Sequence, residues 1–160
     1  MSLLVDIESQ QFPGSYLRMD GTGIVQKTPS GSGIVNCQNY VGTLESLIIE
    51  DHPSTNTFSI LCSQFPNVYL RMDGSAVTPG TNYPQGAGVV NLQYTAATYE
   101  QFQYEEQQDG SKAIVSVQFP GVYLRMDNPG GGSAAGTVNC QNYVGTCEKF
   151  NINITETKGK

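Results

Sequence analysis

One tyrosine-containing pentapeptide occurs twice in this chain of 160 residues. It reads Asn-Tyr-Val-Gly-Thr, at residues 39–43 and again at residues 142–146. A tyrosine ring offers a flat apolar face to a sugar ring, and neighbouring amides can hydrogen-bond the hydroxyl groups around it. The pentapeptide therefore predicts carbohydrate binding; the alternative is a shared turn in which Gly42 and Gly145 need a positive φ. The candidate ligand-binding residues are Asn39, Tyr40, Asn142 and Tyr143.

Two amide residues in the pattern Asn-x-Gln precede each of these loops, and a third copy stands between them. Side-chain amides both donate and accept hydrogen bonds. They suit sugar hydroxyls, and equally suit loop backbone groups that the fold must satisfy, so both roles stay open. After the middle copy, Thr95 stands where the other loops have tyrosine, so the stacking face there is lost or displaced to Tyr94. The amide candidates are Asn36, Gln38, Asn91, Gln93, Asn139 and Gln141.

An arginine and an aspartate recur in three copies of Tyr-Leu-Arg-Met-Asp. The arginines could be three polar anchors for a ligand. The preferred interpretation is structural, because a buried arginine or glutamate rarely goes unpaired. The glutamate seven residues after each Asn-x-Gln glutamine is one available partner. The arginines are Arg18, Arg71 and Arg125, and the glutamates are Glu45, Glu100 and Glu148. If the tyrosine loops are only scaffold, the next candidates for ligand binding are Asp20, Asp73 and Asp127.

Catalytic and metal chemistry have little support in this sequence. The single histidine, His52, lies in a non-repeated segment. Glu105 and Glu106 are neighbours in the sequence and are expected to form a solvated face of a connector. No Cys-x2-Cys spacing is present, which disfavours a zinc site. The sequence therefore predicts a protein that is not an enzyme and needs no metal or cofactor.

The four cysteines are predicted to be unpaired. Cys37 and Cys140 occupy equivalent positions of a repeat, and Leu92 is the third equivalent. A position that accepts either cysteine or leucine indicates a buried apolar site. Cys37 and Cys140 are therefore expected to be buried free thiols, with Cys62 and Cys147 also free.

Charge and hydropathy exclude several partners. The net charge is −6, the sequence pI is about 4.6, and no lysine or arginine cluster is present, whereas a nucleic-acid partner needs a basic patch. No apolar run reaches the ~18 residues of a membrane span. The first six residues lack a basic region and a long apolar core, so no signal peptide is predicted. A cytoplasmic location is the default expectation, with leaderless export as the alternative.

The elements that must position these residues form a threefold internal repeat. The pattern Gln-Phe-Pro-Gly/Asn-x-Tyr-Leu-Arg-Met-Asp begins at positions 11, 64 and 118. Recurrence at a nearly constant spacing indicates that the fold is built from three similar units. Pro followed by Gly or Asn predicts a type II turn, and alternating apolar residues predict four short strands per repeat. The whole chain, 1–160, is predicted to be one domain, with repeats over about 3–51, 57–104 and 113–154. Polar connectors at 51–56 and 105–110 and a fraying tail from about Thr155 complete the prediction.

Three units of four strands resemble the β-trefoil family, an all-β fold with pseudo-threefold symmetry in which six strands close a barrel and six cap it. The Tyr-Leu-Arg-Met-Asp-Gly phrase, followed by Glu-x-Phe, is similar to the skeleton of fascin-like, growth-factor-like and lectin trefoils. Two sub-family patterns are incomplete. Ricin-type lectins carry Gln-x-Trp, and this chain has no tryptophan. Arabinofuranose-binding modules carry Tyr-Leu-Arg-His, and here methionine replaces the histidine, which puts arabinose specificity in doubt.

Two functions remain in competition at this point. The first is a multivalent, non-catalytic lectin or agglutinin that binds glycans or glycoproteins, with up to three sites. The second is a protein-binding trefoil, either a fascin-like actin binder or a protease inhibitor. The acidic charge argues against actin, which is itself acidic, and an inhibitor would use one distinctive loop rather than three similar ones. A homodimer is compatible with either function.

Overall fold

Short strands and tight turns make up nearly all of the chain in the computed structural model, which describes residues 2–158. Two 3-10 turns, Thr43–Glu45 and Thr98–Glu100, are the helical segments of the described chain. The strands are β1 (Ser2–Ser9), β2 (Tyr16–Asp20), β3 (Ile34–Gln38), β4 (Leu47–His52), β5 (Thr57–Cys62), β6 (Val68–Asp73), β7 (Val89–Tyr94), β8 (Phe102–Glu106), β9 (Lys112–Ser116), β10 (Tyr123–Asp127), β11 (Thr137–Gln141) and β12 (Phe150–Lys158).

Six of these strands close a barrel. Going round it, β1 pairs with β4, β4 with β5, β5 with β8, β8 with β9, β9 with β12, and β12 with β1, all antiparallel. The other six form three hairpins, β2–β3, β6–β7 and β10–β11. Three repeats of four strands in this arrangement are the β-trefoil that the sequence predicts.

The turn before each hairpin has the glycine or asparagine that a type II turn needs at its third position, as the sequence predicts. Its third position has a positive φ of 86° at Gly14, 63° at Asn67 and 81° at Gly121. Glycine adopts this conformation without strain, and asparagine is the next most tolerant residue. The same turn chemistry in all three repeats directs the following strand back along the barrel.

The hydrophobic core comes from one face of each repeated strand. In Tyr-Leu-Arg-Met-Asp the leucine and the methionine share a face, as a period of two requires. All six of these side chains are fully buried, as predicted: Leu17, Met19, Leu70, Met72, Leu124 and Met126. Leu92 and its equivalents Cys37 and Cys140 are also fully buried, which confirms that the position is apolar.

Backbone pairing between repeats joins the three hairpins. The long loop of each repeat runs alongside the third strand of the next repeat. Ser32 exchanges two backbone hydrogen bonds of 2.8 Å with Leu92, and Ala135 exchanges two with Cys37, of 2.7 and 2.9 Å. Ala87 N donates to Cys140 O at 2.9 Å. Loop 21–33 thus reaches repeat 2, loop 74–88 reaches repeat 3, and loop 128–136 returns to repeat 1.

Three boundaries differ from the sequence prediction. Strand β4 extends through Asp51 and His52, and β8 extends through Glu105 and Glu106, so these residues are not connectors. The predicted fraying of the tail is wrong as far as Lys158, because β12 pairs with β1 in a register that reaches Ser2↔Lys158. A neighbouring strand satisfies backbone groups whatever the polarity of the side chains, and composition alone does not reveal that neighbour.

A substitution at Gly88 tests the inter-repeat contact. A Cβ atom there would overlap the Cys140 sulfur and lie 2.8 Å from the Asp73 carbonyl oxygen. We expect Gly88→Ala to lower the free energy of unfolding by about 2 kcal/mol, as overpacking typically does. Gly130→Ala is the control, because no atom lies within 4 Å of a Cβ there, and it should stay within about 0.5 kcal/mol. Urea titrations giving equal stabilities for the two variants would contradict this.

Thiol counting tests the state of the cysteines, all four of which are free in the structure. Burial raises the pKa of Cys37, Cys62 and Cys140 to about 12, and a protonated thiol is unreactive. Without reductant, the denatured chain should therefore give four reactive thiols, and the native chain only the half-buried Cys147. Two or no thiols after denaturation would mean that a disulfide is present.

Candidate functional site

Three clefts occupy the same place in the three repeats. Each is lined by an arginine from the second strand, a glutamine from the end of the third strand, and the loop that runs on to a buried glutamate. The first cleft (Arg18, Gln38, Glu45) has a volume of about 150 Å³, the second (Arg71, Gln93, Glu100) about 280 Å³, and the third (Arg125, Gln141, Glu148) about 90 Å³. From the sequence these arginines and glutamates are expected to be structural, and they are not among the predicted ligand-binding residues.

The arginines pair first with the aspartate and asparagine of their own hairpin. In repeat 3, Arg125 Nη1 donates to Asn139 Oδ1 at 3.3 Å, and Nη2 donates to Asp127 Oδ2 at 2.9 Å. Repeats 1 and 2 make the same two contacts, at 3.2–3.5 Å. The structural interpretation of the arginines therefore holds, although aspartate rather than glutamate is the nearer partner. A guanidinium held at both terminal nitrogens presents a fixed edge to the cleft.

The aspartates have a second role at the strand ends. Asp20 Oδ1 accepts from Thr22 N at 3.1 Å, and Asp73 Oδ1 accepts from Ser75 N at 3.0 Å. For Asp20, the hydrogen bonds from Thr22 and the nearby arginine hold the pKa of the carboxyl below its usual value. The pKa of Asp73 is also lowered, because hydrogen bonds from Ser75 and the charge of its arginine together outweigh its desolvation. All three carboxylates orient the arginines, and those of Asp20 and Asp73 also accept a hydrogen bond that turns the chain.

Each glutamate fastens the loop that forms the cleft wall. Glu45 Oε1 accepts from Gly42 N at 2.8 Å, and Glu148 Oε1 accepts from Gly145 N at 2.7 Å. The other oxygen faces the arginine Nε at 3.8 Å in repeats 1 and 3. Burial raises the pKa of the three glutamate carboxyls. The glutamate therefore joins the loop to the arginine edge and fixes the shape of the cleft.

Two of the three Asn-x-Gln glutamines hydrogen-bond to the long loop of the preceding repeat. Gln38 Oε1 accepts from Ser133 Oγ at 2.6 Å and from Ala134 N at 3.2 Å. Gln93 forms a two-way pair with the Thr28 backbone, accepting at 3.0 Å and donating at 2.7 Å. Of the two roles that the sequence left open, these amides fill the loop-fastening role.

The asparagines of the same pattern also bind loop backbone. Asn91 Nδ2 donates to Ser30 O at 2.9 Å, and Asn139 Nδ2 donates to Gln85 O at 2.8 Å. With their oxygens taken by the arginines, little hydrogen-bonding capacity remains in these two side chains. Asn36 shares the arginine contact.

The tyrosine loops carry the most exposed aromatic side chains of the clefts. Tyr40 is 56% and Tyr143 is 40% exposed. Their neighbours Asn39 and Asn142 donate to backbone oxygens, Asn39 to Gly131 at 3.3 Å and Asn142 to Thr78 at 2.7 Å. The rings thus give each pentapeptide an exposed aromatic surface that is free to meet a ligand.

The glycine of the pentapeptide is required by close packing and not by a positive φ. Gly42 has a φ of −113°. A Cβ there would lie 3.2 Å from both Glu45 Oε1 and Tyr40 Cε2, and Gly145 is equally close to Glu148 and Tyr143. The glycine thus lets the tyrosine ring lie against the loop.

In the second cleft the aromatic side chain comes from a residue that the sequence did not predict. Tyr99, inside the 3-10 turn, lines the cleft with Lys27. Arg71 stands 5.0 Å from the centre of its ring, and Phe119 meets it edge-on at 5.2 Å. Tyr94, the predicted substitute, is half-buried in β7 and packs against the core. The equivalents of Tyr99 are Leu44 and Cys147, so no repeated pattern marks it.

Metal ligands and membrane spans are not evident in the described chain. Among residues 2–158, no three histidine, cysteine, aspartate or glutamate side chains come together as a metal site would need. Over the same residues, no helix is both long and apolar enough to cross a membrane. His52 Nε2 lies 2.9 Å from Ser59 Oγ and lines none of the three clefts.

No family model matches the chain, and no curated protein matches it by sequence. Solved structures are similar over almost its whole length. A mosquitocidal holotoxin superposes with a TM-score of 0.75 at 12% identity, over 98% of this chain and 18% of that one. A lectin of Polyporus squamosus gives 0.64 at 14% identity, over 93% and 48%. SeviL bound to asialo-GM1 saccharide gives 0.64 at 10% identity, over 95% and 97%. At these identities the likeness shows the fold, which is a β-trefoil.

Proposed function

We propose that this protein is a non-catalytic, multivalent lectin whose glycan sites are the three equivalent clefts. The observation that carries the proposal is their shared construction: an arginine held by an aspartate and an asparagine, a buried glutamine, a loop fastened by a buried glutamate, and a tyrosine. Fixed polar groups beside an aromatic ring can bind sugar hydroxyls and the sugar ring together. Two of the structures with the same fold support it: one is named a lectin and was solved with a sialylated epitope, and the other was solved with asialo-GM1 saccharide.

The three clefts are proposed to bind with unequal strength. In the first and third, the rings of Tyr40 and Tyr143 are substantially exposed. In the second, Tyr99 is half-buried, with Arg71 over its ring and Phe119 against its edge. A sugar there has less free aromatic surface to meet. The first and third clefts should therefore dominate, which still leaves two sites per chain for cross-linking glycans.

A glycan array tests the proposal directly, followed by erythrocyte agglutination with sugar competition. Binding to a defined set of glycans, with agglutination inhibited by the matching free sugar, is expected. Failure to bind any glycan would reject the lectin function. In that case a pull-down with actin and an inhibition assay against proteases would test the protein-binding alternative.

The tyrosines provide the first mutational test. Tyr40→Ala together with Tyr143→Ala should abolish agglutination, because an aromatic contact contributes about two- to tenfold in affinity at each site, and the loss at both sites removes cross-linking. Thr95→Ala, at the equivalent exposed position of repeat 2, is the matched control and should leave agglutination unchanged. Calorimetry should show two stronger sites in the unmodified chain. Full glycan binding by the double variant would mean that this loop is scaffold.

Chelation provides the second test. The clefts hold sugars through arginine, amide and tyrosine groups, so EDTA should leave both array binding and agglutination unchanged. Loss of binding in EDTA that calcium restores would contradict the metal-free part of the proposal.

A further inference from the structure

Two residues that line the third cleft each have a buried polar atom without a hydrogen-bond partner in the protein. Among the described residues, three buried side-chain polar atoms have no protein hydrogen-bond partner: Thr28 Oγ1, Arg125 Nε and Gln141 Oε1. Thr28 is a half-buried residue at the second cleft, and its hydroxyl can rotate. Arg125 and Gln141 are only 3% and 2% exposed, and both line the third cleft. A buried polar group that stays unpaired is costly.

A comparison with repeats 1 and 2 shows why the oxygen of Gln141 has no hydrogen-bond partner. Gln38 and Gln93 use their oxygens on the preceding repeat's loop. Loop 74–88 takes a different course over repeat 3, where its Thr78 O accepts from Asn142 and its Pro84 O accepts from Arg125 Nη2 at 3.2 Å. Gln141 instead donates through Nε2 to Glu148 Oε2, which leaves its oxygen free.

The pair of free atoms has a definite chemical complement. Arg125 Nε is a donor that faces Glu148 Oε2 at 3.8 Å, too far for a hydrogen bond, and Gln141 Oε1 is an acceptor. A single hydroxyl group, which accepts one hydrogen bond and donates another, satisfies both. Tyr143 borders this cleft and also an adjoining cavity of about 290 Å³, lined by Gly80, Thr81, Asn82 and Asn142. The tyrosine ring thus stands between a small polar cleft and a larger open one.

We propose that the third cleft is the primary glycan subsite of this protein. One hydroxyl of the sugar enters between Arg125 Nε and Gln141 Oε1, while the sugar ring lies against Tyr143 and extends into the adjoining cavity. This inference rests on the proposed lectin function and adds to it the site and the group recognised. Of the two dominant clefts, the third is then the tighter and the first the weaker, and the second cleft contributes least.

Cys147 is a reporter of this cleft, because it lines the third cleft and the other three cysteines are buried. Alkylation by iodoacetamide is carried out at mildly alkaline pH, since burial raises the pKa of the Cys147 thiol. Mass spectrometry monitors its rate. The probes are methyl glycosides of galactose, glucose, mannose and N-acetylglucosamine. The glycoside matching the array result should slow alkylation of Cys147 at least about tenfold at saturation.

A matched pair of variants separates the third cleft from the first. Cys147→Tyr places in the third cleft the residue found at the equivalent position of repeat 2, and Leu44→Tyr does the same in the first. In calorimetry, Cys147→Tyr should weaken the tighter site about tenfold or more, whereas Leu44→Tyr should leave that site within about twofold and change only the weaker one. If Cys147→Tyr does not fold, as judged by circular dichroism, Cys147 protection in the unmodified chain still decides the matter.

Deoxy analogues of the same glycoside identify the hydroxyl. Removal of one particular hydroxyl should cost about ten- to a hundredfold in affinity, because a donor and an acceptor are left unpaired. Equal binding of all monodeoxy analogues would mean that a buried water alone bridges these atoms, and would overturn the proposal. Array binding without Cys147 protection would also overturn it while leaving the lectin function intact. No binding on the array would reject both.

Discussion

The backbone pairing of each long loop with the third strand of the next repeat is the constraint on which the rest of the structure depends. A single repeat cannot satisfy these backbone groups alone, since the partner of Ser32 is Leu92 and the partner of Ala135 is Cys37. The contacts run from repeat 1 to 2, from 2 to 3, and from 3 back to 1. Unpaired buried backbone groups are costly, so the three repeats fold as one unit. Close approach explains why Gly88 lies directly against the Cys140 side chain.

The same polar residues hold the fold together and shape the clefts. Each arginine is fixed by an aspartate and an asparagine, as in Arg125 with Asp127 and Asn139. Four of the six asparagines and glutamines are in turn fixed by a loop from the neighbouring repeat: Gln38, Asn91, Gln93 and Asn139. A group held from two sides has little freedom to lose when it binds a ligand, which favours affinity. Substitutions at these residues will therefore alter stability and binding together, whereas Tyr40 and Tyr143 stand at the exposed rim and report on binding alone.

Local patterns made the fold predictable from the sequence. The repeated Pro-Gly or Pro-Asn turn and the alternation in Tyr-Leu-Arg-Met-Asp act within a few residues, so the strands, the turns and the buried leucines could be read directly. The extension of β12 to Lys158 could not be read, because its stabilising partner, β1, lies at the other end of the chain. Tyr99 escaped notice because its equivalents, Leu44 and Cys147, share no chemistry with it.

The difference between the three clefts comes from loop length, which varies while the strands stay constant. The segments joining the second and third strands have 13 residues (21–33), 15 residues (74–88) and 9 residues (128–136). The longest covers repeat 3, and it engages Asn142 and the arginine rather than Gln141. Strand pairing fixes where each loop must end, so extra residues can only change its course over the neighbouring cleft. A symmetric scaffold thereby presents three different surfaces. The repeat covered by the loop of different course is the one in which Arg125 Nε and Gln141 Oε1 are left without a hydrogen-bond partner.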